Sequence, residues 1–110
     1  MTDDALRAHR WDRMQRLRAH AARSGSTVRT LVWLRDELRR EGLDEDAMAF
    51  AMIGILWESF ELELGQARGI GVWTGLDPSG RLSDQAITDR LGPLTARVEE
   101  FEHMRPPHRP

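Results

Sequence analysis

At 110 residues the chain has room for one domain with a real core and not for two. It contains no cysteine, which excludes disulfides, thiolate nucleophiles and cysteine-bound zinc or iron–sulfur centres. The net charge of −2 hides an uneven distribution: residues 1–40 carry ten arginines against five acids, residues 41–66 carry seven acids and no base, and the remainder carries six of each. If the two stretches lie side by side they neutralise one another; if not, the N-terminal part is a basic face for an acidic partner. All 16 basic residues are arginine, a codon bias that suggests a high-GC bacterium or its phage.

In chain order, residues 4–23 read as a first helix with Leu6, Met14, Leu17 and Ala21 on one stripe and Trp11 to its side. Ser24-Gly25-Ser26 breaks the pattern. Ser26 or Thr27 can cap a second helix that runs to about Glu41 and ends at Gly42. Val28, Leu31, Leu34 and Leu38 form its inner face, Arg35, Arg39 and Arg40 its wet one, and Trp33 points elsewhere.

The run Ala47 to Trp57, AMAFAMIGILW, is apolar on every side. A helix with no polar stripe must be enclosed by other elements, so the expectation is a buried central helix at about 44–64, with Phe50, Met52, Ile53 and Leu56 inside. Asp44 is its expected cap and Gly65 its stop. The alternation Phe60, Leu62, Leu64 also fits a short strand, but Glu and Leu favour continuing the helix. The run is too short to span a bilayer, which takes about 20 apolar residues.

A long glycine-rich loop follows at 65–82, with Ile70, Val72 and Trp73 expected to tuck it down. Ser83 can cap a fourth helix at about 84–91, closed by Gly92-Pro93. Leu94, Val98, Phe101 and Met104 have the spacing of a fifth helix at about 94–104, and residues 105–110 read as an extended proline-rich tail. The expected fold is therefore all-α: a single-domain bundle of four or five helices over residues 1–104, wrapped round the central one.

No chemical motif survives inspection. Gly69, Gly71 and Gly75 are out of register for a dinucleotide loop and follow a helix where a strand is needed. Residues 77–83 share the middle of a calcium-binding loop but lack its first and last ligands, Gly75 and Ala86 standing there. Glu100 and His103, with Glu58 and Glu61, are fragments of a di-metal carboxylate set that needs two ExxH pairs and two further carboxylates, and one ExxH pair is present. The four histidines have no recognisable nucleophile partner. The expectation is a non-enzyme with no metal or cofactor.

Residues 82–92, LSDQAITDRLG, followed by Val98, resemble the general helix-turn-helix pattern, in which Ile87, Leu91 and Val98 would lock two helices together. The resemblance implies a DNA-binding regulator as the alternative function. Its would-be reading helix carries Glu99, Glu100 and Glu102, which disfavours phosphate contact. The leading expectation is a small cytoplasmic module that binds a partner protein or a second copy of itself, as a regulator, inhibitor or immunity-type factor. The N-terminal run MTDDALRAHR has no apolar leader segment, in keeping with that location. Trp73, Trp11, Arg35 and Arg39 are the expected contacts, because Trp and Arg are over-represented among binding hot spots, with the competing reading that Trp73 folds back as a plug over the central helix.

Overall fold

The computed structural model describes residues 3–97. Five α-helices account for most of them: α1 (Asp3–Ser24), α2 (Thr27–Arg40), α3 (Glu45–Ser59), α4 (Leu64–Ala67) and α5 (Asp84–Leu91), with a 3-10 turn at Arg68–Val72. No strand is present among the described residues, only two isolated bridges. None of these helices is long and apolar enough to cross a membrane.

Local chemistry sets the breaks. Gly25 takes a φ of +60° after α1, and the Ser26 hydroxyl then accepts the Arg29 amide at 3.2 Å to cap α2. At the other end of α2, Gly42 has a φ of +87°, its amide bonds Arg39 O, and the next amide, from Leu43, bonds Leu38 O at 3.0 Å. This is the Schellman closure that a left-handed glycine permits. Thr27, Thr30, Leu31, Leu34 and Leu38 line the buried face of α2 at helical spacing. Alpha1 buries Met14 and Leu17, packs Ala21 against the core and is held for the rest by the stacking of His20 on Trp33 and by ion pairs to α2 and α3.

The expected enclosure of α3 is not what forms. Met48, Met52, Leu56 and Ser59 are buried, at intervals of one turn, while Phe50 on the opposite face is 85% exposed and Ile53 half-buried. The other elements cover one side of the helix, so Phe50 is the clear exception to the expected buried set. The helix also stops at Ser59 rather than 64. Phe60 is extended, pairs with Ala96 in an antiparallel bridge, and the Glu61 amide bonds Thr95 O at 2.7 Å. Phe60 and Leu62 are buried with Glu61 and Glu63 exposed, the period-two pattern of a strand. Pairing with a distant segment has overridden the helix propensity of Glu and Leu.

The expected loop at 65–82 is likewise mostly structured. Glu63 and Gln66 form a reciprocal capping box for α4, the 3-10 turn buries Gly69 and Ile70, and Trp73 bridges in parallel to Leu82. Asp77 accepts from both the amide and hydroxyl of Ser79, which makes the oxygen-rich stretch at 77–80 a self-contained turn. Alpha5 matches its expected span, capped by Ser83. The expected fifth helix does not start at Leu94, since Ala96 is in the bridge with Phe60; its remainder and the 105–110 tail lie outside the described residues.

The two faces of α3 should answer differently to truncation. Met52→Ala, at a fully buried position, is expected to cost about 2–5 kcal/mol in chemical denaturation, whereas Phe50→Ala should stay within about 0.5 kcal/mol in dilute protein. Equal losses at both positions would contradict the one-sided burial.

Candidate functional site

Of the residues expected to meet a partner, three are occupied in holding the fold. Trp73 is 1% exposed; its indole N–H donates to Asp84 Oδ1 at 2.7 Å and its ring lies against Gly75, where a Cβ would collide with it. In this conformation the ring has no surface to offer. Arg35 donates to Gly75 O at 2.9 Å and to Asp36, tying the same segment to α2. Arg39 forms a two-armed bond to Glu45, with Nε to Oε1 at 2.6 Å, and joins the end of α2 to the start of α3. Trp11 is half-buried on α1. The structure brings Arg35 and Trp73 to one place, as packing around Gly75, and does not gather the four into a surface.

The off-stripe Trp33 is similarly explained. Its ring stacks on His20 with centroids 5.6 Å apart and carries the Arg16 guanidinium at 5.7 Å, so it fills the seam between α1 and α2. The basic and acidic stretches do lie side by side. Arg10 reaches Glu58 at 3.2 Å and Arg13 and His9 converge on Glu41 at 3.2 and 2.9 Å, while Arg16 pairs within the basic stretch, with Glu37 at 3.5 Å. Arg10 and Arg13 are thereby matched by acids of the second stretch.

What remains outward is the face of α3 that the sequence led one to expect inside. At 100° per residue, Ala47, Phe50, Gly54 and Trp57 fall on the side opposite Met48, Met52 and Leu56, while Ile53 packs against the edge of the core. Phe50 stands clear of the surface. A Cβ placed on Gly54, one turn further on, would meet open space. Trp57 is half-buried under the Arg97 guanidinium, 5.6 Å from its ring centroid. The face is charged at both ends. Asp44, Glu45 and Asp46 are exposed at its start. Arg10 and Arg97 stand at its finish, and Arg18 reaches the same end through Ser59 O at 3.0 Å. Such a face was hidden from the sequence because an apolar run without period does not say which side is in.

A shallow depression of about 160 Å³ at the α1–α2 turn, lined by Gly25, Ser26, Thr27, Thr30, Pro93 and Leu94, brings no titratable side chain together. Among the described residues no three His, Asp or Glu converge as metal ligands. No known protein family, curated protein or solved structure matches this chain.

Two measurements check these placements. Trp73→Ala should lower stability by about 3–5 kcal/mol, the usual cost of emptying a buried aromatic site. Burial pushes the Glu41 carboxyl up, but the bonds and charges of His9 and Arg13 together outweigh it and hold its pKa below the ordinary value. A depressed carboxylate contributes stability above its unfolded pKa, about 4.3, and that contribution is lost as pH falls through the lower folded value. Denaturation midpoints should therefore drop on acidification below that range, and Glu41→Gln should flatten part of the drop.

Proposed function

We propose that the chain is a protein-interaction module that acts by docking another polypeptide on the outer face of α3, in the manner of a regulator, inhibitor or immunity-type factor rather than an enzyme. The observation that carries this reading is Phe50, 85% exposed on a face of α3 that also holds exposed Ala47 and half-buried Gly54. An exposed aromatic ring in the most apolar run of a chain is of the kind that fills a pocket on a partner.

The DNA-binding alternative finds no comparable support. The segment after α5 is extended through Ala96 where a reading helix would begin. Arg10, Arg13, Arg16 and Arg39 of α1 and α2 are engaged with Glu58, Glu41, Glu37 and Glu45, which leaves less free charge for phosphate.

A photoreactive benzoylphenylalanine at position 50 tests the reading. In host cells it should cross-link to one or a few defined polypeptides, and the same group at Gln15, exposed on α1, should not give those products. Diffuse labelling indistinguishable between the two positions would remove α3 as the docking surface.

A further inference from the structure

We propose that α1 is a hinged strap: it opens about Gly25 as one unit while α2 to α5 stay folded, and the polar seam it shares with α2 governs how often it does so. This inference is independent of the docking reading above.

The seam differs in kind from the core beside it. His9, Arg13, Arg16 and His20 recur every three or four residues and form one stripe of α1. They meet a matching stripe of α2 and its cap residue. His9 and Arg13 converge on Glu41, Arg16 reaches Glu37, and His20 stacks on Trp33. The buried leucines of α2, Leu31, Leu34 and Leu38, lie on a different stripe. The contiguous buried cluster among the described residues takes only Leu17 from α1, the rest coming from α2, α3, α5 and the segments between α3 and α5. A core that keeps nearly all its members in the absence of α1 can stay closed while α1 is away. Ion pairs open to solvent are among the weaker ties in a protein, and salt screens them.

The turn that joins the two helices suits a hinge. Gly25 takes a φ of +60°, and a Cβ built there would meet nothing within 4 Å, so no side chain packs against the pivot. Alpha2 begins without help from α1. The Ser26 hydroxyl accepts the Arg29 amide, Ser26 O accepts both the amide and the hydroxyl of Thr30, and Thr27 Oγ1 donates to Gly92 O at 3.1 Å, which ties this end of α2 to the end of α5. Met14, Leu17 and the bonds from Arg18 to Ser59 O and Arg97 O make the shut form the ground state. When the strap swings out, Trp33 loses its cover of His20 and Arg16, and the end of α3 loses Arg18. Ionic conditions sensed along the seam are thereby passed to the end of α3.

Hydrogen exchange of the full-length chain, followed amide by amide by NMR at neutral pH, tests the strap. Residues 14–22 lie over the rest of the protein and are the informative ones. Their amides should exchange together, at least about tenfold faster than those at the centres of α2 and α3, as a sub-global opening requires. Raising salt from about 0.1 to about 1 M, which shortens the screening length from about 10 to about 3 Å, should quicken them several-fold more and leave the centres of α2 and α3 as they were. Glu41→Arg should do the same at low salt. An arginine suits the C-terminal end of α2, so that helix is not weakened by the change. Adding Arg13→Glu to Glu41→Arg should restore part of the protection by re-forming the pair in reverse. Amides of α1 that exchange in step with those of α3 would show one cooperative unit and overturn the strap. An early opening of α1 that ignores both salt and the charge reversal would overturn the role of the seam.

Discussion

The end of α3 is held by arginine, and most of the long-range order follows from that. Arg97 donates through Nε to Trp57 O and Phe60 O, at 3.1 and 3.0 Å, and through Nη2 to Leu62 O at 2.8 Å. Arg18 donates to Ser59 O and to Arg97 O. The last carbonyls of a helix have no partner within it, and leaving them dry would cost far more than a hydrogen bond gains. Two guanidiniums, each a planar fork of donors, satisfy them at once and bring together α1, the end of α3 and the segment after α5. An ammonium, with one compact head, could not span three carbonyls. A composition whose basic residues are all arginine suits this construction, whatever its origin in codon usage.

Much of the fold was legible because its local signals are short-range. Ser26 and Ser83 cap the helices they were expected to cap, and Gly42 closes α2 through a backbone conformation that glycine adopts freely. The misjudged regions share a different cause. Phe60–Leu64 left the helix because Thr95, Ala96 and Arg97 offered backbone partners more than thirty residues away, which no local propensity records. The glycine-rich stretch folded because its glycines give close approach as well as freedom. Gly69 lies under the Arg90 and Ile87 side chains and Gly75 under the Trp73 ring, where any Cβ would collide.

The candidate contact surface was the least legible part. Tryptophan and arginine were reasonable guesses for contacts, yet the same properties that suit them to interfaces suit them to internal seams. Trp73 found Asp84, Trp33 found His20 and Arg16, and Arg39 found Glu45. The residue left outside was Phe50, which lies within the most apolar run of the chain and would be assigned to the core by any rule based on composition. Burial is decided by how many neighbours a small domain can supply, and this one supplies enough for one side of α3.

That one-sidedness bears on how α3 finds its orientation. An ordinary amphipathic helix is steered about its own axis by its polar stripe, but α3 has apolar residues on every side and would still hide apolar surface if it were turned half a revolution, with Phe50 and Trp57 inward. Hydrophobic attraction therefore brings the helix to the core without choosing its azimuth. The choice falls to directional bonds: Arg18 and Arg97 meet the carbonyls of Trp57, Ser59 and Phe60 in one rotational setting, and Glu45 meets Arg39 in the same one. Those polar ties at the two ends act as rotational stops, so a chain that collapses before they close faces a competing, mis-rotated compact state, and the arginines determine which of the two persists.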